Sequence, residues 1–292
     1  MARRRHSWTA LIIFLCVAGA VSSCQPAPPE PSTGDPSAEI AVDINQSRDQ
    51  YGKHAILIQL TNTSSSAIVV SSVDLRSGLF QQDITWSPVN GALELPPNQP
   101  KSLPASLPEP RCRNNTVGPP TATVQFAGST NEQRQISTEG SDPFGVLQRN
   151  ADELCLAKDA AGVASIVLDP ELDVAPDGRT AVVRLVITPA KARAQNQTLV
   201  IESIGGTTLL AEQPSDPWSR DVKITAAADA HVLSLRIRPA RCDPHAVAED
   251  KVGTLIPVNV AIGERHGALK VAAPAELRGR IHDFVTAACS AG

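Results

Sequence analysis

The residues best suited to chemistry are the cysteines and one short acidic loop. Of six cysteines, Cys16 lies in an apolar leader and Cys24 follows Val21-Ser22-Ser23, which leaves Cys112, Cys155, Cys242 and Cys289 in the body of the chain. No two of these fall at Cys-x-x-Cys spacing, which disfavours zinc. An even number of cysteines behind an export leader predicts disulfides. Four cysteines allow three pairings, and a repeated set of landmarks selects one. Arg111-Cys112 and Arg241-Cys242 are each preceded by a Trp-Ser pair, at Trp86 and Trp218. Each is followed by an apolar strand and then a helix-like segment carrying the next cysteine. The separations are alike, 43 residues from Cys112 to Cys155 and 47 from Cys242 to Cys289. The same landmarks in the same order predict a duplicated unit. Each copy then closes on itself, as Cys112–Cys155 and Cys242–Cys289. Closing a loop of this size is worth roughly 3–4 kcal/mol on the chain-entropy estimate.

The acidic loop is Arg241-Cys242-Asp243-Pro244-His245-Ala246-Val247-Ala248-Glu249-Asp250-Lys251. Asp243, His245, Glu249 and Asp250 are oxygen and nitrogen ligands within eight positions, a set that could hold a divalent metal. His245 and Glu249 would share a helical face at i and i+4. The structural alternative is an Asp-Pro N-cap opening a helix of one or two turns, with the acids in solvent or paired with Arg241. His231 sits in an alternating strand and His266 in the turn Gly263-Glu264-Arg265-His266-Gly267, both as surface or edge histidines. There is no Gly-x-Ser-x-Gly, His-Glu-x-x-His, P-loop or dinucleotide glycine pattern, so no enzyme activity and no cofactor is expected. Trp86 and Trp218 read as core plugs.

The first 24 residues read as an address. Arg3, Arg4 and Arg5 precede the apolar run from Thr9 to Val21, which is too short for a comfortable membrane span. Val21-Ser22-Ser23-Cys24 resembles the bacterial lipobox, which implies lipidation of Cys24 and anchorage of about 0.8 kcal/mol per buried methylene. Residues 25–39 are Pro-, Ser- and acid-rich, a disordered tether. The expected location is the outer face of the cytoplasmic membrane. The expected partners are the membrane, through that lipid, and an envelope protein. Net charge is −4 and charged residues are 19%, so there is no basic footprint for nucleic acid. Aromatics at 3% leave few rings for stacking on sugars or bases.

The elements behind these sites are mostly short strands. Ala55–Leu60 and Ala67–Val73 flank the polar cluster Thr61–Ser66, a hairpin signature. The stretch from Pro88 to Pro110 can supply only edge strands or coil. Thr121–Phe126 alternates as a half-buried strand, and Asp142-Pro143 opens a helix with Phe144, Leu147, Ala151 and Leu154 beside Cys155. After a join near residues 157–162 the plan repeats, with strands at 166–168, 181–187, 198–204, 222–224, 231–237 and 255–262. A helix from Glu276 to Cys289 ends the second copy. With 24 prolines and 18 glycines, this predicts an all-β chain with one short helix per unit. The expected units are two tandem immunoglobulin-like antiparallel β-sandwiches, over 40–158 and 163–292, with a small α+β unit as the alternative.

The Arg241–Lys251 segment, leading into Gly253-Thr254, resembles exported (lipo)proteins of actinobacteria with immunoglobulin-like domains. The resemblance covers roughly Trp218 to Cys289 and implies export and domain type, with no activity attached. The counterpart Arg111-Cys112-Arg113-Asn114-Asn115-Thr116 lacks the His and the acidic pair. The functional expectation is therefore a membrane-tethered, non-catalytic interaction or scaffold module. The alternative is a ligand- or metal-binding lipoprotein using the loop from Asp243 to Asp250.

Overall fold

The computed structural model describes residues 39–112, 117–128, 132–190, 197–225 and 227–290. The leader 1–24 with Cys24, the tether through residue 38, and residues 113–116 lie outside the described residues.

The chain is mostly β. The first strands are β1 (Ile40–Asn45), β2 (Ala55–Asn62), β3 (Ile68–Arg76) and β4 (Ile84–Trp86). They are followed by β5 (Leu93–Leu95), β6 (Lys101–Ser106), β7 (Thr121–Ala127), β8 (Gln133–Ser141) and helix α1 (Val146–Val163). Next come β9 (Ala164–Val174), β10 (Ala181–Pro189), β11 (Thr198–Ile204), β12 (Leu210–Glu212) and β13 (Val222–Thr225). The chain closes with β14 (His231–Pro239), α2 (Pro244–Ala248), β15 (Leu255–Ile262), β16 (Arg265–Ala272) and α3 (Ala275–Ser290).

Alternation places one face of each long strand inside. In β2 the residues Ile56, Ile58 and Leu60 are fully buried between half-exposed neighbours, the period of two that a strand imposes. β6 carries Pro104 yet forms a ladder, because it lies at the end of its array, where a missing N–H costs no partner. Among the described residues an isolated parallel bridge joins Asn62 to Pro97, and the ladders between strands are antiparallel except β1 beside β8, which is parallel at Val42↔Gly140 and Asp43↔Ser141. There β8 leaves β7 and crosses to β1. Gly140 permits the crossing, since a Cβ on it would stand 3.1 Å from Ile44 Cδ1.

The first eight strands run β4-β3-β7-β8-β1-β2-β6, with β5 also on β3. The remaining strands form β12-β14-β10-β9 and β13-β11-β15-β16. One hydrophobic core gathers residues from β1, β2, β3, β6 and β7, among them Ile58, Val73 and Phe126, so that array folds back on itself. A second core gathers Leu185, Ile201, Leu235 and Val258 from the two later sheets.

Helix α1 joins the two cores. Its first half gives Val146, Leu147 and Ala151 to the first core. Its second half gives Leu156, Ala160 and Val163 to the second. The sequence suggested a join at 157–162, but the helix runs unbroken through it and passes directly into β9. Ala157, Ala160 and Ala161 are strong helix formers, and Gly162 comes too late to stop the helix. The N-terminus also differs by a few residues from the sequence expectation. Asp142 does cap the helix, its carboxylate accepting from Val146 N at 2.7 Å and Leu147 N at 2.9 Å. Pro143 is outside the helix, because Gly145 (φ 58°) turns the chain in between.

The Cys112–Cys155 and Cys242–Cys289 disulfides are both present, with Cα–Cα distances of 5.4 and 5.3 Å. They indicate an oxidising, extracytoplasmic environment. No helix among the described residues is long and apolar enough to cross a membrane.

Candidate functional site

Alanine is the residue that opens space in this fold. Ala157, Ala160 and Ala161 on α1 face Ala164 at the start of β9 and Ala268, Ala272 and Ala273 on and after β16. Where larger side chains would close the gap, these leave a cleft of about 650 Å³. Ala164 to Leu168 of β9 and Ala268 to Pro274 line it as consecutive residues. Successive residues of a strand point to opposite faces, so an unbroken run means that the strand edges border the cleft. Each is the terminal strand of its sheet, and edge strands present unpaired N–H and C=O groups.

One end of the cleft is polar. Lys270 Nζ donates to Glu153 Oε2 at 2.6 Å and stands 4.9 Å from the centroid of the Tyr51 ring, a cation–π contact. Tyr51 follows the 3-10 turn Arg48–Gln50, and His54 closes the same loop with φ 49°. That left-handed conformation is one that non-glycine residues seldom adopt. Its backbone oxygen accepts from Leu107 N at 2.8 Å, which ties the loop to the end of β6. Glu153 and Lys270 neutralise each other, so the cleft combines an apolar floor, two backbone edges and a zwitterionic rim.

A second polar contact braces the same region. Arg265 at the start of β16 donates from Nε to Asp159 of α1 at 2.9 Å and from Nη2 to the Cys112 oxygen at 2.6 Å. His266 is the next residue of that strand. The sequence placed it in a turn, but the turn is only Gly263-Glu264, with Gly263 at φ 57°. His266 Nδ1 lies 3.1 Å from Glu202 Oε1, exposed. His231 is also exposed, at the first position of β14.

The acidic loop takes the capping arrangement. Asp243 Oδ1 accepts from His245 N at 2.9 Å and opens α2. Asp250 faces a neighbouring turn, where Oδ1 accepts from the Thr208 hydroxyl and Oδ2 accepts from Gly253 N at 2.7 Å. Thr207 donates to the Gly253 oxygen at 2.6 Å. His245 and Glu249 are exposed. The four residues Asp243, His245, Glu249 and Asp250 do not converge. Among the described residues no group of three His, Cys, Asp or Glu side chains is placed to hold a metal. Asp243 serves the N-terminus of the short helix and Asp250 the 207–209 turn, while Glu249 faces solvent.

Trp218 is the core plug its position suggested, 4% exposed, with its indole N–H donating to Arg236 O at 2.9 Å. Trp86 is only half-buried against the first core. The cleft was not legible beforehand. Its lining comes from three separate stretches of chain, at 51–54, 153–168 and 268–274, and alanine carries no chemical signature in a sequence.

No protein-family model matches this chain, and no curated protein matches it. Among solved structures it is similar to a protein of unknown function from Porphyromonas gingivalis W83, at 18% identity. That match covers 81% of this chain and 99% of the other, with a TM-score of 0.21. The YadV chaperone is similar at 12% identity, over 80% and 98% of the two chains, with a TM-score of 0.24. The E. coli chaperone DraB is similar at 12% identity, over 80% and 93%, with a TM-score of 0.20.

Proposed function

We propose that this chain is an extracytoplasmic, non-catalytic interaction module, held at the outer face of the cytoplasmic membrane by lipid on Cys24. Its body is a pair of immunoglobulin-like sandwiches derived by duplication. Repeated strand connectivity supports that reading. β6-β2-β1 has its counterpart in β14-β10-β9, and β5-β3-β7-β8 in β13-β11-β15-β16. Each set ends in a helix linked by a disulfide to the segment after its β6 or β14 strand. In the second half the two four-stranded antiparallel sheets share one core, which fits a sandwich arrangement.

The observation that carries the interaction role is the cleft along α1. It combines free backbone edges, small side chains and a self-neutralised rim. Such a surface fits an extended polypeptide segment of an envelope protein, because backbone edges bind backbone and alanines allow close approach. Two measurements test the reading. A photo-crosslinking residue at Ser165, exposed in the cleft, should capture one discrete protein in intact envelopes. The same group at Thr85 should not, and Ala161→Trp should abolish capture. Equal capture from both sites would refute the cleft. Metabolic labelling with an alkyne fatty acid should mark the wild-type chain and spare Cys24→Ser, and label retained by the variant would refute the anchor.

A further inference from the structure

The two disulfides occupy matching places but differ in access. Cys155 is 2% exposed and Cys112 is half-buried. Arg265 ties together the two segments that this link joins, bonded to the Cys112 oxygen and to Asp159 one turn beyond Cys155. Cys242 is exposed, on the loop that precedes α2, and its partner Cys289 is half-buried in the last turn of α3. Exchange requires a thiolate to reach one sulfur along the S–S axis, so access separates links of otherwise similar chemistry.

We infer that Cys242–Cys289 is a redox-modification site, a substrate for an external dithiol such as an exported thiol–disulfide oxidoreductase. Cys112–Cys155 is the structural link. A thiolate of the dithiol attacks the Sγ of Cys242, the exposed residue of the pair, forming a mixed disulfide. The Cys242–Cys289 bond breaks, and its electron pair leaves on Cys289 Sγ, which takes a proton from water. The second thiol of the dithiol, as thiolate, then attacks the mixed disulfide. The dithiol departs as its oxidised disulfide and Cys242 is released as a thiolate that takes up a proton. Two electrons pass to the protein.

Opening is local, because α3 stays docked through Leu277, Ile281, Phe284 and Val285, all buried in the second core. What loosens is the last turn of α3 and the α2 loop, with Val247 and Ala288, which pack only partly buried on that core.

The test uses the folded wild-type chain and dithiothreitol as the dithiol. Samples are alkylated over time and mapped by peptide mass spectrometry, with tryptophan emission followed in parallel. Cys242 and Cys289 should be labelled about tenfold or more faster than Cys112 and Cys155, at constant emission. Equal rates, the reverse order, or emission that changes in step with labelling would overturn the inference. Cys242→Ala with Cys289→Ala should keep the wild-type emission and near-UV circular dichroism. Loss of both signals would show that opening is not local.

Discussion

Among the described residues helix α1 is the element shared by both cores, and breaking it where it passes from one to the other should separate them. Ala157 closes the turn, Glu153 to Ala157, that spans the change from Leu154, packed on the first core, to Leu156, buried in the second. Proline there removes the N–H that bonds to the Glu153 carbonyl and drives its ring against that oxygen. The cost in a helix interior is about 3 kcal/mol. Ala157 is itself only half-buried, so little packing is lost directly. Ala157→Gly, at about 1 kcal/mol, controls for helix propensity without a kink. For a body of this size each kcal/mol shifts Tm by about 2–4 °C, so the proline variant should melt about 6–12 °C lower. Trp86 and Trp218 report on the first and second cores separately, read one at a time through Trp218→Phe and Trp86→Phe. In the wild-type background the two guanidinium transitions should coincide. In Ala157→Pro they should part, while Ala157→Gly keeps them together. Coincident transitions in Ala157→Pro, or separate ones in the wild type, would refute the claim that a continuous α1 couples the cores.

Other substitutions test single contacts. In Gly253→Ala the new Cβ would run into Leu209 Cγ and stand 2.7 Å from Asp250 Oδ2, so denaturation should show a loss of about 1–3 kcal/mol from overpacking. Arg265→Ala removes the Asp159 pair and the bond to the Cys112 oxygen. Because both side chains are about a third exposed, the loss should be about 1–2 kcal/mol and should shrink as salt is raised. The Ser47 hydroxyl, bonded to the Asp49 carboxylate, holds that acid below the ordinary aspartate range, helped by Lys53 and Lys251. A depressed folded value means its stabilisation is present above the unfolded value of 3.8 and is lost as pH falls through the lowered folded value. Ser47→Ala should therefore raise the Asp49 titration midpoint seen by NMR, and an unchanged midpoint would contradict the assignment.

The strand text was legible where alternation was strong, as in Ala55–Leu60, Thr121–Phe126 and Ala181–Ile187. It was faint in β8, Gln-Arg-Gln-Ile-Ser-Thr-Glu-Gly-Ser, whose side chains are mostly exposed or half-exposed. Its pairing comes from β7 and β1, not from any apolar pattern of its own. β16 was misplaced for a related reason. Gly263 and Gly267 framed His266 as a turn, yet β15 pairs with β16 from Ile262↔Arg265 onward. The cysteine pairing was readable because a repeated order of landmarks leaves one self-consistent choice.

What the sequence determined alone is whatever depends on neighbours along the chain: strand periodicity, the capping roles of Asp142 and Asp243, and the disulfide framework. What only the tertiary structure decided depends on residues far apart. The same alanines that read as a featureless join make α1 continuous, and packing against β9 and β16 turns their missing bulk into a cleft. Asp250 meets Thr208 and Gly253, which fixes it in a turn. Local propensity names the elements, but a void or a shared helix exists only once two cores close around it.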